Sequence, residues 1–162
     1  PITDAKSMQK HLEILQSKAD AVAMVAAVAD LRKKGGAGST KISKEELLKD
    51  LDKSFEKVPD LLSEMVKRRT KGQRILGFTA LTGNDAQIQK LGEAKKSHKG
   101  CDLLMANPID RVGQGFDSNS NGGILLGPEG MVTTLPVISK MGLAHQLLDA
   151  LIDLKPNISQ NN

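Results

Sequence analysis

At 162 residues the chain is about one domain long, a size at which roughly two thirds of the unfolded surface can be buried and a core needs no staples. Its single cysteine, Cys101, excludes an intramolecular disulfide and suits a reducing compartment. Basic residues exceed acidic ones, 23 against 19, which points to anionic partners, yet 3 Phe with no Tyr or Trp leave a single-strand nucleic-acid binder without stacking platforms.

The opening "PITDAKSMQKH" has neither the charged nor the apolar region of a signal peptide, and no apolar run approaches the ~18 residues of a membrane span. A cytosolic, soluble protein with no membrane or nucleic-acid partner is expected. Ala5, Met8, Leu12 and Leu15 recur at helical spacing, which predicts a helix from about Asp4 to Ser17 with Thr3 as its N-cap. Next, "ADAVAMVAAVAD" is continuous in small and β-branched apolar residues, as in a strand buried on both faces of a parallel sheet. The strand is placed at Ala21 to Ala26, leading into a loop of the kind where ligands meet strand ends.

"RKKGGAGSTKISKEE", Arg32 to Glu46, holds three glycines and almost nothing apolar. It lacks the Gly-Lys-Ser/Thr of a phosphate loop. It is also too early in the chain for a linker between domains, so an ordinary surface loop and a functional lid remain open. Ser43 and Glu46 then form a capping-box pattern ahead of Leu47, Leu48 and Leu51, read locally as a short helix. Pro59 suits the first turn of another helix, which carries Leu61, Leu62, Met65 and Val66 and ends at Gly72.

"QRILGFTAL" reads as a strand from Arg74 to Thr79. Asn84 or Asp85 caps a helix through about His98, with Ile88 and Leu91 inward. "CDLLMANP" is a buried strand stopped by Asn107-Pro108, and Ile109 to Gly123 is a loop. "GILLG", a Pro128-Glu129-Gly130 turn and "MVTTLPV" form a hairpin. A last helix, Lys140 to Asp153, aligns Leu143, Leu147, Leu148 and Leu151, and residues 155–162 form a disordered tail. The sum is an α/β domain with a mainly parallel, Rossmann-like sheet, a C-terminal hairpin and a helix. A doubly wound domain opens on a strand, whereas this chain opens on a helix; either the sheet is small or a strand-and-loop portion belongs to another segment.

His11, His98 and His145 stand far apart with no ligand spacing, which gives a zinc or iron site no support. Ser39, Thr40 and Cys101 show no nucleophile context, and "GQGF" at Gly113 to Phe116 precedes no helix and reads as a turn. Lys95 and Lys99, four apart, share one helix face and repel mildly unless an anion lies between them.

Six motifs stand in one order: "AAVAD" at Ala26 to Asp30, "KISK" at Lys41 to Lys44, "PDLL" at Pro59 to Leu62, "GFTAL" at Gly77 to Leu81, "AKKSHKGCDLLMANP" at Ala94 to Pro108 and "GQGFDSNSN" at Gly113 to Asn121. Together they resemble phosphopantothenate–cysteine ligase, the synthetase half of the bacterial bifunctional coenzyme A biosynthesis flavoprotein, from about Thr3 to Leu154. The resemblance implies one partial ligase domain over residues 1–154, joining 4'-phosphopantothenate to cysteine through a CTP-derived acyl-cytidylate with Mg2+. It also implies a cytoplasmic homodimer, with FMN confined to an attached decarboxylase domain. On the same basis Met24, Val25 and Ala26 lie against the nucleotide, with Asp30 beside them. Lys41 is the catalytic lysine of a flap spanning about 31–58. Pro59, Asp60, Leu61, Leu62 and Phe78 line the nucleotide site, Lys95 and Lys99 bind the nucleotide, and Ala27 and Asn107 stand on the substrate side.

A lid that opens for CTP and closes over a reactive anhydride needs glycine hinges and a cation, which Gly35, Gly36, Gly38 and Lys41 supply. The helix at Pro59 is expected to offer backbone N–H groups to an anion. This sequence departs from the family in lacking its first glycine-rich segment. Leu31 stands where tyrosine is frequent, Leu81 where glutamate is common and Ser43 in place of a flap lysine. Leu47 to Lys57 would contain a strand in the family rather than a helix. The alternative is a Rossmann-like nucleotide-binding or interaction module without ligase activity.

Overall fold

Successive apolar side chains of Arg74–Leu81 (β4) and Leu103–Pro108 (β5) point to opposite faces of one sheet, and both faces are covered. The structure, a computed structural model, describes residues 2–34, 55–114 and 118–155. Its elements before β4 are Ala5–Gln16 (α1), Ala21–Met24 (β1), Leu31–Lys33 (β2), Phe55–Lys57 (β3) and Leu61–Lys67 (α2). Asp85–Lys99 (α3) separates β4 from β5, and Ser120–Leu126 (β6), Val132–Ser139 (β7) and Lys140–Asp153 (α4) follow. The main sheet has the order β1-β4-β5-β6-β7; β2 and β3 pair separately. β1, β4 and β5 run parallel, while β6 is antiparallel to β5 and to β7.

Ile75, Leu104 and Ala106 face one core together with Leu62 and Met65 of α2 and Ile88 of α3. Leu76, Leu103 and Met105 face the other, against Leu143, Leu147 and Leu151 of α4. Below the strand ends, Gln73 Nε2 donates to the carbonyls of Gln16 (2.7 Å) and Ala19 (2.6 Å), and Gln16 Nε2 donates to Met65 O at 2.6 Å. Asp102 accepts from Arg69 at 2.9 Å and from the Ile75 N–H at 2.7 Å. These bonds tie the N-terminal ends of β4 and β5 to α1 and α2, which leaves the opposite edge free for a site.

Several boundaries differ from expectation. Asp4, not Thr3, caps α1, because its carboxylate accepts the Ser7 N–H at 2.7 Å. β1 ends at Met24 rather than Ala26 and is the edge of the main sheet among the described residues. Met24 is buried, whereas Ala21 and Ala23 are exposed, since α4 covers the neighbouring strands instead. Pro59 precedes α2 instead of entering it; Asp60 is the cap, and the helix stops at Lys67 rather than Gly72. β4 runs two residues beyond Thr79, carried on by the pairs Ala80 with Asn107 and Leu81 with Pro108.

In α3 the capping box is Asn84 with Gln87, and Gly100 closes the helix at φ 72°. Leu91 is not inward: it is 48% exposed. The inward position four residues after Ile88 belongs to Gly92, where a Cβ would come within 2.6 Å of Leu126 Cδ1. Leu148 likewise lies exposed on α4, off the line of Leu143, Leu147 and Leu151. β6 begins at Ser120, inside the expected loop, because Ser120 and Asn121 pair with Ser139 and Ile138 across an irregularity before Gly123.

The helix expected from the Ser43/Glu46 pattern lies outside the described residues, as does most of the tail. β3, antiparallel to β2 and running toward α2, is the strand the family resemblance implied there. Arg32 Nε donates to Glu56 Oε1 at 2.7 Å across that pair.

Candidate functional site

The parallel strands β1 and β4 end at a cleft of about 430 Å³, where open α/β sheets place their ligands. Its floor is Met24 and the segment from Ala26 to Asp30; one wall is Val58 to Leu62, another is Phe78 to Ala80 with Leu104. Lys95 and Lys99 of α3 close the side. Ten sequence-expected nucleotide residues are thus brought together: Met24, Ala26, Asp30, Pro59, Asp60, Leu61, Leu62, Phe78, Lys95 and Lys99.

Val25 does not line this cleft. With Ala27 and Asn107 it borders a second cavity of about 580 Å³ on the α4 face of the sheet. Alternation sends Val25 to the face opposite Met24. Ala26, Ala27, Phe78, Thr79 and Ala80 line both cavities, so one thin wall of strand ends divides them. Lys41 lies outside the described residues.

Asp60 joins fold and site. Its Oδ1 accepts the Ser63 N–H at 3.2 Å, and its Oδ2 accepts the Ser63 hydroxyl at 2.7 Å and the Lys99 ammonium. Partial burial pushes the Asp60 carboxyl up, but the bonds from Lys99 and Ser63 outweigh it and hold the group below its ordinary value. The end of α2 expected to receive an anion is therefore filled by this carboxylate. Asp30 is exposed at the cleft mouth, and its carbonyl accepts the Val58 N–H at 2.9 Å.

Asn107 is only 7% exposed, and its Nδ2 has no hydrogen-bond partner. A buried amide donor left unpaired is expensive, and this one borders the second cavity. Sequence reasoning missed Thr79, Ala80, Asn121 and Lys140. Ala80 lies in the extension of β4, Thr79 ends the expected strand with no motif to single it out, and the last two come from β6 and α4, whose juxtaposition with Asn107 depends on the antiparallel hairpin.

Cys101 is buried under Gly77, and burial pushes its thiol up, so it is not a poised nucleophile. Among the described residues no group of three His, Cys, Asp or Glu side chains could hold a metal ion. No helix among them is long and apolar enough to cross a membrane.

Strand order, helices on both faces and a cleft lined by lysines at the carboxyl ends of parallel strands define a Rossmann-like α/β domain. The chain belongs to the DNA/pantothenate metabolism flavoprotein C-terminal domain family, which it matches over residues 1–154. It is 35% identical over 163 residues to the Coenzyme A biosynthesis bifunctional protein CoaBC of Mycobacterium bovis, covering 91% of this chain and 35% of that protein. The protein of the same name from Vibrio parahaemolyticus is 30% identical over 154 residues, covering 93% and 37%. The chain thus spans about a third of the length of these curated relatives. The solved C-terminal domain of a CoaBC protein shares the fold, with a TM-score of 0.69 at 22% identity, covering 93% of this chain and 64% of that one.

Proposed function

We propose that this domain carries the nucleotide and acyl-substrate sites of phosphopantothenate–cysteine ligase, joining 4'-phosphopantothenate to cysteine in a reaction driven by CTP. The observation that carries the reading is the pair Lys95 and Lys99 facing Asp30 and the strand ends across a nucleotide-sized cleft. Family membership and relatives named for coenzyme A biosynthesis support the same chemistry.

In this reading the 4'-phosphopantothenate carboxylate attacks the α-phosphorus of CTP and the bond to pyrophosphate breaks. The cysteine amine then attacks the acyl carbonyl, the bond to CMP breaks, and the amine proton passes to solvent. Lys95 and Lys99 hold the phosphates as mobile point charges. Pro59, Leu61, Leu62 and Phe78 pack the nucleoside, with Met24 and Ala26 beneath it. Asn107 donates to an oxygen of the acyl substrate, with Ala27 and Val25 beside it. Lys41 is the flap cation that follows the departing charge, and closure of the flap keeps water off the anhydride. Mg2+ fits as a companion of the triphosphate, since the cleft offers it Asp30 while Asp60 is engaged by Lys99. Cytoplasmic location and homodimer formation belong to the same reading.

Thermal unfolding followed by circular dichroism, with Mg2+ and CTP, ATP or NAD, tests it. CTP at about 100 times its Kd should raise Tm by roughly 5–10 °C for a chain of this size, with ATP and NAD far less effective. A shift with NAD and none with CTP contradicts it and favours a binding module without ligase activity.

A further inference from the structure

The two end strands of the main sheet are built differently. β7 carries Pro136 within the register shift opposite Asn121 to Gly123. Proline and irregular pairing are devices that keep an edge strand from recruiting a neighbour. β1, the other end among the described residues, reads Ala-Val-Ala-Met in unbroken register, with no charge and no proline. Its make-up is that of a strand inside a parallel sheet.

The direction of its backbone groups follows from the ladder. The Arg74 N–H donates to Asp20 O at 3.0 Å, and Ala21 to Met24 pair in step with Arg74 to Gly77. Successive residues of a parallel strand turn their backbone groups to opposite edges, so Asp20, Val22 and Met24 bond to β4 while Ala21 and Ala23 face outward. The surface beside that edge is apolar. Met24 enters the core against α2, which sends Ala21, Ala23 and Val25 to the α4 side; all three are exposed, Val25 by 63%. Leu148 of α4 lines the same cavity as Ala23 and Val25, and Met141 and Ile152 continue its stripe at helical spacing, both exposed. On the opposite face α1, packed through Met8 and Leu12, leaves Ile14 and Leu15 exposed. The solved domain that shares this fold is covered over 64% of its length, so it holds further polypeptide beyond the match.

We infer that the outer edge of β1 receives a further β-strand, parallel to β1, whose attached helix packs between β1 and the Met141, Leu148 and Ile152 stripe of α4. The occupant is a strand–helix polypeptide outside these 162 residues, corresponding to the part of the solved domain beyond the match. A parallel strand ends where β1 and β4 end. Its carboxyl end therefore arrives beside Ala26 and Ala27, which belong to the wall between the two cavities. The inference stands on the fold and goes beyond the ligase reading.

The test combines the chain with the unmatched part of the solved CoaBC C-terminal domain, made as a separate polypeptide. In the chain alone, NMR-detected hydrogen exchange should find the Ala21 and Ala23 amides open and those of Val22 and Met24 protected. Adding the polypeptide should slow Ala21 and Ala23 about tenfold or more and raise Tm by several degrees. Ala23→Pro removes an outward donor without touching a bond to β4, and Ile152→Glu places a charge on the α4 stripe. Each should leave the melt of the chain alone nearly unchanged and weaken the complex about tenfold or more. Val137→Glu, on the exposed surface of β7, should leave the complex intact. The inference is overturned by the lack of a complex or by a complex indifferent to both variants. It is equally overturned if Ala21 and Ala23 are already protected in the chain alone, by its own residues or, in a concentration-dependent way, by a second copy. CTP binding measured in parallel reports on the ligase reading, so the two can fail separately.

Discussion

The Lys99 ammonium rests on the Asp60 carboxylate, the same carboxylate that caps α2 through the Ser63 N–H. A helix cap and a cleft-lining cation are thus one unit. Asp60 holds Lys99 at the cleft wall and offsets its charge.

Replacing Asp60 by Asn separates the two jobs. Asn caps helices about as well as Asp, so stability near neutral pH should fall by no more than about 1 kcal/mol. Lys99 loses its counter-ion, and the cleft gains net positive charge. Binding should tighten several-fold for CTP and hardly at all for cytidine, with a steeper salt dependence. Titration of both ligands at two salt concentrations checks this, and weaker CTP binding in Asp60→Asn would show that the carboxylate serves the ligand in another way.

The same carboxylate predicts a pH dependence. Its folded pKa is depressed, so its contribution is fully present above the unfolded value near 3.9 and is lost as pH falls through the folded one. Urea unfolding of the wild type should therefore show an acid loss below about pH 4 that is smaller in Asp60→Asn. Parallel curves for the two proteins between pH 6 and pH 3 would contradict the assignment.

Gly123 is fixed by backbone geometry next to the second cavity. Its φ is 149°, and a Cβ there would lie 2.3 Å from Ala106 O. Gly123→Ala should destabilise the fold by roughly 2–4 kcal/mol through strain and forced separation of β5 and β6. It should also weaken 4'-phosphopantothenate more than CTP, because Asn107 lies on β5 while Lys95 and Lys99 lie on α3. Denaturant melts and paired titrations measure both effects.

Much of the fold is legible in the sequence. The apolar runs in "RILGFTAL" and "CDLLMANP" placed β4 and β5, and a cap at Asn84 or Asp85 placed α3, with Asn84 the one that serves. What escaped was set by tertiary contact. Leu91 has the spacing of an inward residue, but close approach of β6 to α3 gives the position to Gly92. β1 has the composition of a central strand and forms an edge among the described residues, because apolar content does not say which neighbours a strand finds. At the site, the motif order supplied the cleft residues. Lys140 stayed hidden because only the β6–β7 hairpin returns the chain to Asn107.

The central claim is that the cleft between β1, β4 and α3 holds the nucleotide through Lys95 and Lys99. The most direct measurement is calorimetric titration of Mg-CTP into the wild-type chain and into a Lys95→Ala/Lys99→Ala variant whose circular dichroism melt matches wild type. The expected result is saturable binding by the wild type and a loss of about a hundredfold in the variant, two charge-assisted contacts of roughly 1.5 kcal/mol each. Equal affinity in the two proteins would contradict the account and move the nucleotide elsewhere.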